Sequence, residues 1–503
     1  MIQMLKPIFR LSFIKSSLAL AGVFGLSFLL IQCGGEGDQK PFKTGGVSGK
    51  TGLPNLSPEE ESRTKKLLLV PPYIQPGNAP DLSVEKKVFI WQTPDIPTSF
   101  KFEYGAENEP RKTLIPAVTP LMINARKTLL YRVELESLQW NKEYSYTLVA
   151  NDLSLFFGKF QTRTKQPYLQ FAVVGDTGVG GSPEALISQQ IQSKNPQFVL
   201  NLGDIAYPRG TAKDYLEHAF PYYNKMPGTP GEGSALMQYI PTYLTFGNHD
   251  VKQSAVLTSN QGENAGFYYF DLPLNGPSLD HIFDLKGDLA SIENFKKLSR
   301  GHFSKMTNYS FDNGNAHFLV LLGASYIHPL EPERLKWIEK DLSQSKAKWK
   351  FVSIHEPLFA TKERYRKQGA RLFAPIFQKY HVDMVLSGHV HNYQRSKPLL
   401  FHLEPGAYPL PIHLVPGRFD LDHQFNGITQ TRPKGVIYII SGAGGAPLND
   451  KEMTHQPKTW QPFTQKLIAD QYSFSFIQIK ENKLHFQQID SEGKIIDQFC
   501  VTK

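Results

Sequence analysis

Five short apolar runs in this 503-residue chain each end on a small polar cluster, and that repetition limits what the chain can fold into. Phe171-Ala-Val-Val174 runs into Gly175-Asp176-Thr-Gly178, and Phe198-Val-Leu200 into Asn201-Leu-Gly203-Asp204-Ile-Ala-Tyr207. Tyr243-Leu-Thr-Phe246 precedes Gly247-Asn248-His249-Asp250. Trp349-Lys-Phe-Val-Ser-Ile354 precedes His355, and Val382-Asp-Met-Val-Leu386 precedes Gly388-His389-Val-His391. Runs this short and this apolar read as buried strands. Between them, Pro183 to Gln192, Pro332 to Leu342 and Arg371 to Tyr380 carry helical spacing, the second opening on proline. Strands alternating with helices give an α/β domain, and in open sheets of that kind ligand sites lie outside the carboxyl ends of the strands. All five clusters can therefore converge on one crevice.

The clusters offer carboxylate oxygens, imidazole nitrogens, an amide oxygen and a phenol, with no thiolate. Such a mixed oxygen and nitrogen set suits iron, zinc or manganese and argues against copper(I) or an iron–sulfur cluster. The glycines let the backbone turn sharply as it leaves each strand.

In this order the five clusters resemble the metallophosphoesterase family, and specifically its purple acid phosphatase branch. Gly388-His-Val-His-Asn-Tyr393-Gln-Arg395 and Gly442-Ala-Gly-Gly445 add to the resemblance, which runs from about Leu67 to the C-terminus. It implies an αββα sandwich with mixed sheets over residues 166–503. It implies that Asp176, Tyr207 and His391 bind a first metal, that Asn248, His355 and His389 bind a second, and that Asp204 bridges them. Most of the family carries Asp-x-His at the first cluster; here Gly178 stands where the imidazole would be, and Tyr207 supplies the missing ligand. A phenolate stabilises a trivalent ion, so the first metal is expected to be Fe(III) and the second Fe(II), Zn(II) or Mn(II). The implied activity is acid phosphatase: hydrolysis of a phosphate monoester by a hydroxide activated between two ions roughly 3.5–4 Å apart. His249 is expected to face the substrate, stabilising the phosphate or protonating the leaving group. The same site could act on diesters or nucleotides. A non-catalytic adhesion role fits poorly, because all seven predicted ligands and His249 are present.

Departures from the branch are visible as well. The segment Glu356 to Gln368 has no histidine, only Lys362, Arg364, Arg366 and Lys367, which read as a solvated basic loop. Gln394 stands where glutamate is common. His218, His281, His302, His317, His328, His402, His413 and His423 lie outside every cluster and are expected to be surface or capping residues.

The remainder of the chain supports and addresses this domain. Residues 1–32 read as a signal peptide: Lys6, Arg10 and Lys15 lead into an apolar run, Leu18 to Ile31, short of the roughly 20 residues of a membrane span. Leu29-Leu-Ile-Gln-Cys33-Gly-Gly resembles a bacterial lipobox, implying a protein exported to the periplasm or cell surface and tethered to the membrane by lipid on Cys33. Residues 33–66, poor in apolar side chains, read as a flexible spacer. Residues 67–165 carry short alternating runs, Val88 to Thr93, Ser99 to Tyr104, Leu129 to Leu135 and Leu155 to Thr162, which predict a β-sandwich. The stretch Leu135 to Tyr144 resembles fibronectin type III-like domains, with Tyr144 as the tyrosine-corner residue. Ser473 to Ile479, Lys483 to Ile489 and Lys494 to Phe499 predict antiparallel strands extending the catalytic core. Val251 to Met306 and Pro398 to Lys434 read as long loops over the active face. Net charge is +9, but basic residues are scattered among acids, so the partner expected is a small phosphate ester and not nucleic acid.

Overall fold

Phe318 and Phe351 point to one face of their strands and Leu319 and Val352 to the other, and all four are buried. Both faces of that sheet are therefore covered, as continuous apolar strands require. The computed structural model describes residues 66–227, 231–252, 256–258, 262–323, 326–362, 368–406, 408 and 414–503. The signal and lipid-anchor readings at Cys33, and those for Arg364, Arg366, Lys367 and His413, fall outside the described residues.

The sheet has seven strands in the order Tyr309–Asn313, Ala316–Leu321, Trp349–Ile354, Met384–Ser387, Ile437–Ser441, Tyr393–Ser396, Thr464–Ile468. Its four strands from Ala316–Leu321 to Ile437–Ser441 are parallel and its edges antiparallel. A second sheet, of six strands, runs Thr242–Leu244, Val199–Asn201, Tyr168–Val174, Ser473–Lys480, Lys483–Asp490, Ile495–Thr502. Its last three strands add antiparallel to Tyr168–Val174, as the alternating C-terminal pattern predicts. The sheets meet through aromatic rings: Phe171 lies 5.1 Å from Phe318 and 5.5 Å from Phe351, edge to face. Helix Ser182–Lys194 adds Ile187 and Ile191 to this core. On the far face, helix Pro332–Gln344 buries Ile338 and Leu342 against Leu319, Leu321 and Val352. The Glu331 side chain caps that helix, accepting from the N–H groups of Glu333 and Arg334.

Three expected elements differ. The helix predicted over Arg371 to Tyr380 divides into a 3-10 turn, Gly369–Phe373, and a short α-helix, Ala374–Lys379. Pro375 lacks an N–H and starts a helix more readily than it continues one. The stretch Val251 to Met306 is not merely loop: it contains helix Leu289–Leu298, capped by Asp288 and burying Phe295 and Leu298. Pro398 to Lys434 holds a hairpin, Leu399–Leu403 with Gly417–Leu421.

Ahead of these layers stand two antiparallel four-stranded sheets: Val70–Gln75, Lys87–Pro94, Arg126–Leu135, Ala117–Ile123, and Lys112–Leu114, Phe100–Ala106, Glu143–Ala150, Leu153–Gln161. Both contribute to one core around Phe89, Trp91, Phe102, Tyr146 and Phe160. The Tyr144 hydroxyl accepts from the Gln139 N–H at 3.1 Å. This pair of sheets is bonded firmly to the rest. The Tyr73 hydroxyl donates to the Tyr269 carbonyl at 2.8 Å, and the Tyr269 hydroxyl donates to Gln92 Oε1 at 2.9 Å. Asp271, outside the two sheets, pairs with both Arg132 on strand Arg126–Leu135 and Arg300.

Candidate metal centre

Each polar cluster sits at the carboxyl end of a parallel strand, and three of its residues leave that strand in an unusual conformation. Asp176, Asp204 and His389 have φ of 56°, 56° and 67°. Few residues other than glycine adopt this region, and those that do cluster at functional sites. The turns bring side chains from five strands to one point. Single ligand atoms of Asp176, Asp204 and His355 all lie within 4.8 Å of one another. The Tyr207 hydroxyl is 3.3 Å from Asp176 Oδ1, 3.1 Å from Asp204 Oδ2 and 3.1 Å from His391 Nε2. Across the site, Asn248 Oδ1 is 3.2 Å from His355 Nε2 and 2.9 Å from His389 Nδ1. Asp204 Oδ2 reaches both groups, since His355 Nε2 is 3.3 Å away. The seven expected ligand residues are thus neighbours.

Main-chain carbonyls aim the imidazoles. His355 Nδ1–H donates to Leu202 O at 2.8 Å, His391 Nδ1–H to Pro447 O at 2.9 Å, and His249 Nδ1–H to Pro208 O at 2.7 Å. A carbonyl can only accept, so Nδ1 carries a proton and Nε2 is the ring nitrogen turned toward the site. His389 instead presents Nδ1. Carboxylates are fixed in the same way: Asp176 Oδ2 accepts from His389 N at 2.8 Å, and Asp204 Oδ1 from His249 N at 2.7 Å.

Gly178 and Tyr207 exclude a larger residue at position 178. A Cβ there would fall 1.7 Å from the Ile205 carbonyl oxygen. The Gly178 carbonyl meanwhile accepts from the Tyr207 N–H at 2.7 Å. The loop that delivers the phenol therefore occupies the space an imidazole at 178 would need.

Sequence reasoning missed two residues here and misjudged a third. His218, expected at the surface or at a cap, is half-buried on a five-residue π-helix, Tyr215–Ala219, and donates Nδ1–H to Tyr207 O at 2.7 Å. Such turns recur at functional sites. Asp250 was given no role, yet it accepts from the N–H groups of Asp204 at 2.6 Å, Gly247 at 2.9 Å and Ile205 at 3.0 Å, locking two ligand loops together. Burial and the Asp204 charge raise its carboxyl to about 7, against the pull of those N–H donors. His317 is also no surface residue: it is fully buried between Asp312 and Asp341, at 2.7 and 2.8 Å.

Charge is concentrated at the centre. Burial alone would raise the Asp204 carboxyl, but the charge and hydrogen bond of His355, with His249, more than offset it and hold the group below the usual carboxylate range. His355 is pushed the other way: burial opposes its charge, yet Asp204 and Asp176 raise it well above an ordinary imidazole. Burial, then Asp176 and Asp204, drive the Tyr207 phenol far above its ordinary value. Away from the centre, Lys362 pairs with Asp450 and Glu452, in keeping with a solvated basic residue. Gln394 Oε1 accepts from Thr361 N and Oγ1 at 2.9 and 2.7 Å, and its Nε2 donates to Asn392.

Residues 169–393 match the family model described as calcineurin-like phosphoesterase, so the fold and the donor cluster belong to one class. Residues 435–498 match a second, iron/zinc purple acid phosphatase-like protein C. A purple acid phosphatase of Glycine max is 26% identical over 407 residues, spanning 76% of this chain and 80% of that protein. The Fe(3+)-Zn(2+) purple acid phosphatase 12 of Arabidopsis thaliana is 24% identical over 403 residues, spanning 74% and 77%. Among solved structures, a purple acid phosphatase from seeds of yellow lupin (Lupinus luteus) superposes with a TM-score of 0.58 at 16% identity, over 86% of this chain and 74% of that one. PhoD does so at 0.53 and 13%, over 90% and 94%. Residues 169–393 thus carry a calcineurin-like phosphoesterase domain, followed at 435–498 by a purple acid phosphatase-like C-terminal part, and the chain is similar to purple acid phosphatases.

Proposed function

We propose that the chain is a metal-dependent acid phosphatase that hydrolyses phosphate monoesters at this centre. The observation that carries the reading is the position of Asp204 Oδ2, 3.1 Å from the Tyr207 hydroxyl on one side and 3.3 Å from His355 Nε2 on the other. One carboxylate between two donor groups is the arrangement a pair of cations needs. Asp176, Tyr207 and His391 would hold the first ion, Asn248, His355 and His389 the second, and Asp204 both. When bound, two ions supply Lewis acidity toward the phosphoryl oxygens and activate a water.

The protein's own groups do the rest. The carbonyls of Leu202 and Pro447 keep Nε2 of His355 and His391 turned inward. His249, 4.3 Å from Tyr207 between ring centroids and held by Pro208 O, keeps Nε2 for a phosphoryl oxygen or the leaving oxygen. A phenolate at Tyr207 would be a hard, strong donor, which suits Fe(III). Asn248 with two imidazoles suits a divalent ion: iron, zinc or manganese.

The catalytic domain is assigned to 166–503 and a fibronectin type III-like support to 67–165. The latter is supported by its two antiparallel sheets and by the hydroxyl of Tyr144 reaching back to Gln139 N. The lipobox-like sequence at Cys33 supports export, with 33–66 as a tether to the membrane. Among the described residues, no helix is long and apolar enough to cross a membrane.

Wild type and Asp204→Asn assayed on p-nitrophenyl phosphate, bis-p-nitrophenyl phosphate and nucleotides test the activity. The variant should lose at least about 100-fold, the upper range for removing even an outlying partner of a metal ligand. Full activity of Asp204→Asn on every accepted substrate would exclude the mechanism. A diester preference in the wild type would move the reading to phosphodiesterase. Incorporation of a fatty-acid analogue, lost in Cys33→Ala, tests the anchor.

A further inference from the structure

Glu356 directly follows His355 and is 5% exposed, and neither of its carboxylate oxygens has a hydrogen-bond partner among the described residues. A buried carboxylate whose oxygens make no hydrogen bond is among the least favourable features a fold can carry, and one that persists is usually set against a cation. The carboxylate lies where a side chain on Gly323 would be: a Cβ there would sit 1.6 Å from Glu356 Oε2. Gly323 follows strand Ala316–Leu321, which pairs with the strand that carries His355. On the same side, the Tyr326 hydroxyl donates to Gly247 O at 3.2 Å and Val251 O at 3.1 Å, closing the Asn248 loop. The Arg334 guanidinium lies within electrostatic reach of Glu356, but it donates to the carbonyls of Leu322 at 3.1 Å, His328 at 3.1 Å and Ile327 at 3.4 Å and makes no hydrogen bond to the carboxylate.

Glu356 thus stands on the side of Asn248, His355 and His389, whose own side chains bring no negative charge.

We propose that Glu356 is a positioning residue for the second metal, supplying from behind the ligands the negative charge that the amide and two imidazoles lack. The inference rests on the two-metal reading of the site. Glu356 touches no reacting atom. Its unpaired burial weakens the metal-free protein and is compensated when a cation is bound, so it raises the gain on loading. A glutamate with a merely structural role would do neither.

The test is Glu356→Gln, compared with wild type after chelation and reloading with iron and then zinc. Zinc at the second position should bind about 10- to 100-fold more weakly, the range for residues that act through a ligand. Iron content and visible absorption should be unchanged. The metal-free variant should melt at or above the metal-free wild type, with a smaller rise in Tm on adding zinc. Gly323→Ala, which displaces the carboxylate without removing its charge, should also weaken zinc and provides the test should Glu356→Gln fail to fold. Wild-type zinc affinity in either folded variant overturns the proposal. A wild type that binds one metal, or none, overturns instead the two-metal reading beneath it.

Discussion

The two halves of the metal centre are built on the same plan, strand end to turn to ligand, yet differ in charge and in how their loops are held. The Asp176 half gathers a carboxylate and a phenol around His391 Nε2, and its phenol loop is pinned through the backbone by Gly178 and His218. The Asn248 half gathers an amide and two imidazoles. Its loop is pinned by Asp250, by the Tyr326 hydroxyl and by Lys252, whose Nζ donates to Asn248 O at 2.8 Å. One half can become strongly anionic and the other cannot, although Asp204 serves both. Under the two-metal reading, that difference in ligand charge would favour a trivalent ion on the first side and a divalent ion on the second.

Two substitutions should break the centre along that line, with the largest effects. Tyr207→Phe removes the anion specific to the first half. It should abolish the phenolate-to-iron visible band, cost most of the bound iron and reduce kcat/KM on the order of 100-fold, while zinc titrates as before. His355→Ala should do the reverse, keeping the band and losing the divalent ion. Equal loss of both metals in both variants would mean that the halves do not act separately. A smaller effect belongs to His218→Ala, which frees the Tyr207 carbonyl. It should shift the band and weaken iron retention roughly 10-fold, with zinc untouched. An unaltered band would show that the Gly178 contact alone places the phenol.

The residues that gather at the candidate centre were easier to read in the sequence than the groups that orient them, for a physical reason. Asp176, Asp204, Asn248, His355 and His389 all follow an apolar run, so periodicity and chemistry point to the same positions. Their orienting partners are mostly main-chain carbonyls, at Leu202, Pro208 and Pro447, and a carbonyl has no residue signature. His218 acts on such a carbonyl from a different element, so its sequence context looks like any amphipathic turn. Glu356 hid differently: an acid after a ligand reads as solvated until its burial against Gly323 is seen. The helix Leu289–Leu298 was missed because its apolar stripe is thin: Leu289 is exposed, and only Ile292, Phe295 and Leu298 keep helical spacing behind the Asp288 cap.

The effect most remote from the centre, and a control on the rest, concerns pH. His317 donates from both ring nitrogens, to Asp312 and Asp341, so the imidazole is held as a cation. Burial opposes that charge, but the two carboxylates more than offset it and raise the pKa to about 9, from 6.5. A group raised on folding stabilises fully below its unfolded pKa and loses that contribution as pH rises through the folded value. Stability should therefore fall between about pH 6.5 and 9, by no more than about 3 kcal/mol. Urea unfolding of metal-free protein across that window should show the slope, and His317→Gln should flatten it; an unchanged slope in the variant would locate the titration elsewhere. His317 sits on strand Ala316–Leu321, which pairs with the His355 strand and leads to Gly323 beside Glu356. Loosening at alkaline pH should thus reach the Asn248 half first, releasing zinc while the iron band persists. The same order of release in His317→Gln would separate metal loss from this strand.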